Sequence, residues 1–159
     1  MDDLYTKPGH LIRRMQQIAV AIFMEECGDF DLTPVQYAAL VAIREHPGTD
    51  ATRLSALIAF DRSTLGSVIG RLEAKEFILR RPSDDDSRVK LLHLTALGKK
   101  TLSAAMPAVE RAQRRILEPL SAANQRKLMQ LLGQVVDLNN ETSRAPQREI
   151  PDGLRGRAL

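Results

Sequence analysis

The chain has 159 residues, of which 23 are Lys or Arg and 20 are Asp or Glu, so its formal net charge is +3 and its isoelectric point is near 9.3. This length suits one domain with a sizeable core. Residues 143–159 supply four arginines against two acids, so the remaining body is close to neutral and charge alone does not identify a nucleic-acid-binding protein. A single cysteine excludes an internal disulfide framework. The sequence shows no signal peptide and no apolar run of transmembrane length, and we expect a cytoplasmic protein without a membrane partner.

Two amphipathic helices are predicted before residue 50. Residues 10–26 form the first, with one apolar stripe made of Leu11, Met15, Ile18 and Ile22. In the second, Thr33 is the predicted N-cap, Pro34 lies in the first turn and Gln36 completes a capping box. We expect this helix to end near His46, which precedes a Pro-Gly pair.

The next stretch predicts two helices joined by a tight turn. Residues 50–58 form a short helix, Ala59-Phe60-Asp61 the turn, and residues 62–75 a second helix for which Asp61 is a good N-cap. Helices joined by so short a turn cross steeply, as in a helix-turn-helix. The second helix keeps side chains that bond phosphates and base edges off its apolar stripe, and these are the predicted DNA contacts Arg62, Ser63, Thr64, Ser67 and Arg71.

A β-hairpin is predicted directly after these helices. Residues 77–81 and 89–94 form its strands, and the polar, turn-rich segment 82–88 joins them. Arg81, Arg88 and Lys90 are predicted to contact DNA from this wing. A charged hairpin loop is more often simply solvated, but the unbroken succession of helix, turn, helix, strand, Arg-tipped loop and strand favours DNA binding.

Two further helices are predicted after the hairpin. Thr95 caps a long helix to Ile116 with Pro107 inside it, and the chain restarts at residues 119–121 into a last helix. That last helix carries apolar residues in near-heptad register, namely Leu128, Leu131, Leu132, Val135 and Leu138. The terminal helices have more apolar surface than one small winged helix can cover, so they pack against a second copy of the chain, or they close an intramolecular core.

At this point the chain resembles the MarR family of winged-helix transcription regulators. The resemblance covers residues 8–142. The segments that carry it are residues 32–40, His46-Pro-Gly, residues 72–75, Arg80-Arg81, Asp86-Ser-Arg and residues 94–98. It implies a mainly α fold with a small β-hairpin wing, in one domain of residues 1–142. Within it, residues 33–94 form the DNA-reading winged helix, and 8–28 with 95–142 the dimerisation helices. We expect residues 143–159 to be a flexible tail or an arm over the partner subunit.

The resemblance also implies function. A homodimer would present two recognition helices to a pseudo-palindromic operator in double-stranded DNA. The chain would then be a transcriptional regulator, most simply a repressor released by a small aromatic carboxylate or phenol. Residues 8–14 are further similar to the branch that governs breakdown of aromatic and N-heterocyclic acids such as nicotinate derivatives.

Two residues depart from the family's pattern. Ser87 replaces the first Arg of the usual Asp-Arg-Arg in the wing, which removes a possible DNA backbone contact. Glu76 stands where the family usually has Gly after the recognition helix. Because a non-Gly residue at positive φ is strained, we expect the helix end to be built differently here.

Four residues form the predicted effector site. His10, Arg14 and Gln17 fall at i, i+4 and i+7, so they share one face of the first helix, which we expect to meet the helix that carries Tyr37. Arg can hold a carboxylate bidentately, while His and Tyr offer hydrogen bonds. The equally weighted alternative is that Arg14 pairs across the dimer interface and His10 caps helix ends.

Two other functions compete with ligand-gated DNA binding. Some members of the family sense peroxide through a cysteine, but acidic neighbours of Cys27 raise the pKa of its thiol and favour an inert residue. The chain shows no catalytic triad, no metal-spaced cluster and no Gly-rich phosphate loop, so we expect neither an enzyme nor a cofactor. The acids at 84–86 are interpreted as a solvated loop rather than a metal site.

Overall fold

The computed structural model describes residues 3–148. Six α-helices and one hairpin account for most of this part of the chain. In order they are α1 (Pro8–Cys27), α2 (Pro34–Glu45), α3 (Ala51–Ile58), α4 (Arg62–Ala74), β1 (Ile78–Pro82), β2 (Lys90–Leu94), α5 (Ala96–Leu117) and α6 (Ala122–Leu138). The predicted fold class, mainly helical with a small hairpin wing, is confirmed.

Side-chain caps fix where the helices begin. Thr33 Oγ1 accepts from the backbone N–H of Gln36 and the Gln36 side chain accepts from that of Thr33, which is the predicted capping box. Asp61 accepts from the N–H of Ser63 at 2.8 Å, and Thr95 from that of Gly98 at 2.9 Å. Each cap satisfies a backbone donor that has no partner inside the helix, so the helix starts follow from local sequence.

The hairpin pairs its strands antiparallel, from Ile78 opposite Leu94 to Pro82 opposite Lys90. Both strands begin one residue later than predicted. Thr49, just before α3, makes an additional bridge to Leu92. Because Leu92 is fully buried, this bridge joins the base of the wing to the helix-turn-helix core.

Two apolar clusters hold the chain together. The larger lies under α2, α3, α4 and the hairpin, and its largest fully buried members are Leu32, Leu40, Ile43, Leu54, Leu65, Leu72, Ile78, Leu92 and Leu102. The smaller joins α1 to α5 through Phe23, Cys27, Ala108 and Val109. Residues 33–94, here called the reading head, therefore have a core of their own. Helix α5 contributes to both clusters and so connects the reading head to α1.

The end of α4 differs from what the sequence predicts. Glu76 adopts φ 58°, the left-handed conformation that Gly would take, so the expectation of a differently built helix end is wrong. The N–H of Phe77 donates to the Leu72 carbonyl and that of Glu76 to the Glu73 carbonyl, which is the Schellman pattern. These bonds, and the buried Phe77 and Leu72 side chains that accompany them, offset the cost of a left-handed Glu.

The start of α5 packs directly on this turn. Thr95 Oγ1 donates to the Glu76 carbonyl at 2.6 Å. A Cβ on Gly98 would lie 2.0 Å from the Phe77 carbonyl oxygen, so only glycine permits this approach. The Leu-Thr-x-x-Gly motif at 94–98 is therefore a packing requirement between the wing and α5.

The terminal helices leave apolar side chains uncovered. On α1 these are Leu11, Ile12, Met15, Ile18 and Met24, and on α6 they are Met129, Leu131, Leu132, Val135, Val136 and Leu138. No helix among residues 3–148 combines the length and apolarity that crossing a bilayer requires. Part of this surface, including Met15 and Ile18 of α1 and Met129 and Leu132 of α6, lines an open groove of about 1480 Å³ between α1, α5 and α6.

Candidate DNA-binding surface and effector crevice

The N-terminal half of α4 presents polar side chains to solvent. Leu65, Val68 and Ile69 are buried against the core, which leaves the opposite side of the helix exposed. The predicted DNA contacts lie on that side, and all of them are exposed: Arg62, Ser63, Thr64, Ser67 and Arg71. The structure therefore brings together five of the eight residues predicted to contact DNA.

The hydroxyl groups of this surface already donate hydrogen bonds within the chain. Ser63 Oγ donates to Asp61 Oδ1 at 2.8 Å, Thr64 Oγ1 to the Asp61 carbonyl at 3.0 Å, and Ser67 Oγ to the Thr64 carbonyl at 2.8 Å. A hydroxyl has one hydrogen to donate and two lone pairs that accept. In this conformation these groups therefore offer acceptors to a ligand.

In the wing loop, Arg88 forms an ion pair with Asp86. Arg88 Nε and Nη2 donate to the two carboxylate oxygens of Asp86 at 3.0 and 2.9 Å, while the Arg88 side chain is 89% exposed. These hydrogen bonds lower the pKa of the Asp86 carboxyl, so the pair stays charged. The Nη1 group of Arg88 has no protein partner among residues 3–148 and can bond a ligand.

The other predicted wing contacts are also exposed. Lys90 Nζ donates to the Ser87 carbonyl at 2.8 Å, and Arg81 lies near the end of β1. Arg80 Nε pairs with Glu73 on α4 at 2.9 Å, which holds the wing against the recognition helix. This bracing contact was not identified from the sequence, because it depends on the angle between two elements.

A second bracing contact joins α4 to the segment before α2. Lys75 Nζ donates to the Asp31 carbonyl and to Gln36 Oε1, and it pairs with the Asp31 carboxylate at 3.1 Å. Gln36 is itself buried. The capping box of α2 therefore also positions the C-terminal end of the recognition helix.

The predicted effector residues do not come together within one chain. Tyr37 packs against Phe23, with ring centroids 6.1 Å apart. Phe23 is nine residues beyond Arg14, which at 100° per residue places it on the opposite face of α1 and roughly 13 Å further along the axis. The expectation that the face of His10, Arg14 and Gln17 meets the helix of Tyr37 is therefore wrong for the isolated chain.

Each of the four effector residues has a distinct environment. Arg14 borders the groove between α1, α5 and α6. Gln17 Oε1 accepts from Arg13 at 3.1 Å. The His10 ring packs edge-on against Tyr5, and its Nε2 atom is covered without a hydrogen-bond partner among residues 3–148. Burial raises the pKa of the Tyr37 phenol, so this group stays protonated.

Cys27 lies fully buried between α1 and α5. Burial is the main cause of its raised thiol pKa, and the negative charge of Glu26 adds to it. The thiol is therefore expected to be inert mainly because it is buried, and its acidic neighbours are the smaller cause.

The described residues contain no group of three or more His, Cys, Asp or Glu that could hold a metal ion. In the wing loop, the Asp86 carboxylate pairs with Arg88, while Asp84 and Asp85 are exposed. This geometry fits a solvated loop.

Comparison with known proteins agrees with this geometry. A sequence model of the MarR family matches residues 32–90. Transcriptional regulator HosA of Escherichia coli is 31% identical over 134 residues, which are 84% of this chain and 98% of HosA. The transcriptional repressor NicR of Pseudomonas putida is 29% identical over 135 residues, which are 85% of each chain.

A solved structure shows the same architecture. Bordetella bronchiseptica BpsR, whose DNA binding is regulated by 6-hydroxynicotinic acid, superposes with a TM-score of 0.78 at 28% identity, over 84% of this chain and 95% of BpsR. These relatives are regulators, which confirms the expectation that the chain is not an enzyme. The chain therefore belongs to the MarR family and is a DNA-binding transcriptional regulator with a winged helix-turn-helix fold.

Proposed function

We propose that this chain is a homodimeric, cytoplasmic repressor that binds a pseudo-palindromic operator and releases it when a small aromatic carboxylate or phenol binds. The observation that carries the proposal is the exposed polar side chains on α4 and on the wing, two elements that the Arg80–Glu73 ion pair joins. These side chains are five cations, Arg62, Arg71, Arg81, Arg88 and Lys90, and three hydroxyls, Ser63, Thr64 and Ser67.

The recognition helix α4 would enter the major groove with its N-terminal residues toward the bases. Because Thr64 and Ser67 donate within the chain, their free lone pairs suit the amino groups of adenine or cytosine. Arg62 and Arg71 would be divided between bases and phosphates. Arg88, oriented by Asp86, would direct its Nη1 group into the adjacent minor groove, where the potential is negative.

Dimerisation would bury the groove and the uncovered apolar faces. Leu132 and Met129 of α6 face Met15 and Ile18 of α1 across the groove, and all four are exposed in the single chain. A contiguous apolar surface of this kind is costly in water and marks an interaction site. A two-fold dimer through these helices would space two reading heads for two half-sites, about one helical turn of DNA apart.

Arg14 is the proposed anchor for the carboxylate of the effector. It borders the groove, and the unpartnered Nε2 of His10 lies one turn away on the same face, with Gln17 beside them. Tyr37 lies across α1 in the same chain, so a site that contains both Arg14 and Tyr37 has to be completed by the second subunit. NicR is a repressor and BpsR responds to a hydroxynicotinic acid, which supports this class of effector.

The DNA-binding proposal is tested by salt dependence. Operator duplexes are first selected from a random library with the wild-type protein, and affinity is then measured from 50 to 200 mM salt for wild type and Arg88→Ala. We expect weaker binding to all operators and a salt slope smaller by about 0.9 for each guanidinium lost, because the charge of Arg88 in the minor groove no longer displaces counterions from the DNA. Arg126→Ala, an exposed change on α6, is the matched control. An unchanged affinity and slope in Arg88→Ala would exclude the wing from the interface.

The effector proposal is tested with aromatic acids. A ligand that binds only the native state raises the melting temperature, so a thermal-shift screen of benzoates, hydroxybenzoates and hydroxynicotinates identifies candidates. With a hit in hand, operator affinity of the wild type should fall roughly 5- to 150-fold at saturation, the usual range of allosteric coupling. Arg14→Ala should stay dimeric and bind operator but need far more effector for release. Release at the wild-type concentration places the carboxylate elsewhere, and a monomeric Arg14→Ala supports the interface role instead.

A further inference from the structure

The segment 140–148, here called the C-terminal loop, has a defined structure after α6. Asn140 Oδ1 accepts from the backbone N–H of Gln147 at 2.8 Å, and its amide donates back to the Gln147 carbonyl at 3.2 Å. Arg148 makes a two-pronged ion pair with Glu141, in which Nη2 lies 2.8 Å from Oε2. These side-chain bonds close the loop on itself.

The closed loop is anchored to the helix-turn-helix unit of the same chain. The backbone N–H of Arg148 donates to the Ala56 carbonyl at 2.9 Å, and Gln147 Nε2 donates to the Leu57 carbonyl at 3.1 Å. Both carbonyls belong to the last turn of α3, where acceptors have no partner inside the helix. The C-terminal loop therefore caps the end of α3, just before the turn into the recognition helix.

This anchoring brings Arg144 beside the recognition helix. Its Nη2 lies 3.3 Å from Oδ2 of Asp61, the residue whose other carboxylate oxygen caps α4. The Arg144 side chain is 90% exposed, so most of its five N–H donors face solvent. Without Arg144, the Asp61 carboxylate would place an unpaired negative charge at the end of α4 that approaches DNA.

We propose that the C-terminal loop is part of the DNA-binding surface and that Arg144 binds a backbone phosphate beside the N-terminus of α4. The inference rests on the proposed placement of α4 against DNA. Recognition-helix N-termini approach the base edges, so flanking groups lie at the level of the phosphates. A guanidinium that uses one nitrogen for Asp61 keeps its other donors for a phosphate oxygen. A phosphate contact positions the protein and leaves sequence preference unchanged.

The test compares Arg144→Gln with the wild type on a selected operator and on an unrelated duplex, between 50 and 200 mM salt. For a dimer that loses two phosphate contacts, the salt slope should fall by about 1.8, so affinity should change roughly tenfold less across this range. Both duplexes should weaken by the same factor. Arg144→Lys should keep most of the slope, and Arg126→Gln, an exposed change on α6, should match the wild type.

A second variant tests the anchor. Gln147→Ala removes the side-chain bond to the Leu57 carbonyl of α3 but no charge. It should weaken DNA binding, and the double variant with Arg144→Gln should bind no more weakly than Arg144→Gln alone. A wild-type slope in Arg144→Gln, with an unchanged melting temperature, overturns the inference. The DNA-binding proposal survives that result if Arg88→Ala still lowers the slope, and it fails separately if no duplex binds the wild type.

Discussion

Glu76 carries a backbone conformation that favours glycine. Its φ of 58° completes the Schellman end of α4, on which the start of α5 is packed. A left-handed residue with a Cβ costs about 1–2 kcal/mol, and glycine removes this cost. Glycine also loses more backbone entropy on folding, which cancels part of the stabilisation. Glu76→Gly should therefore raise the free energy of unfolding by about 0.5–1 kcal/mol.

Urea denaturation measures this difference. Ala74→Gly, two residues earlier in helical conformation, is the matched control and should destabilise the protein by a similar amount. If Glu76→Gly also destabilises, the left-handed geometry at this helix end is not the native one.

The same residue shows what sequence reasoning misses. The sequence shows Glu in place of Gly at position 76, and local backbone preference alone predicts a different helix end. The native turn persists because Phe77 is buried and because Gly98 allows α5 to approach its carbonyl. Those contacts lie far along the chain, and they outweigh the local preference.

At the scale of elements, α1 and α5 are joined by a carboxylate–guanidinium cluster. Glu26 accepts from Arg111 at 2.9 Å and from Arg115 at 2.8 Å, and Arg115 also pairs with Glu25. Hydrogen bonds from Arg115 and then Arg111 lower the pKa of Glu26. A lowered folded-state pKa contributes stability above the ordinary carboxyl pKa, and that contribution is lost as pH falls through the lowered value.

Glu26→Gln should accordingly destabilise the protein at pH 7 and differ less from the wild type as the pH falls below about 4.5. Urea midpoints at pH 7, 5 and 3 measure the effect. Asp84→Asn, an exposed change in the wing loop, should leave the midpoints near the wild-type values. A gap between Glu26→Gln and wild type that is equally wide at pH 3 would contradict this assignment.

Local chemistry predicted the helix starts well, because Thr33, Asp61 and Thr95 cap through neighbours only two or three residues away. The relative rotation of the helices was not predictable in this way. Which face of α1 meets α2 depends on Phe23 and Cys27 filling space beside α5, and the stripe pattern of α1 alone does not show it. Tyr37 therefore packs against Phe23, on the face of α1 opposite to Arg14.

For the whole molecule, the uncovered groove predicts that subunit association and DNA affinity change together. Leu132 lies on the groove face of α6, and Leu132→Glu would place a charge in the proposed interface. We expect a monomer in analytical ultracentrifugation. Operator affinity should fall roughly 10²- to 10⁴-fold, because the second half-site no longer binds at high effective concentration.

Lys127→Glu is the control, since this exposed residue on α6 does not line the groove. It should remain dimeric. A folded Leu132→Glu protein that stays dimeric would show that the groove is not the interface.

The predicted role of the tail as a flexible segment or an arm stays a prediction. Residues 143–148 contact α3 and Asp61 of their own chain, and residues 149–159 lie outside the described residues.

The burial of Cys27 has a practical consequence for measuring the motion of the two reading heads. The chain has one cysteine, it is fully buried, and burial raises the pKa of its thiol. Thiol-reactive fluorophores or spin labels would therefore react selectively with a cysteine introduced on the surface. Ser87→Cys at the wing tip would carry one label per subunit, and the distance between the two labels would report directly how far an aromatic acid moves the wings apart or together.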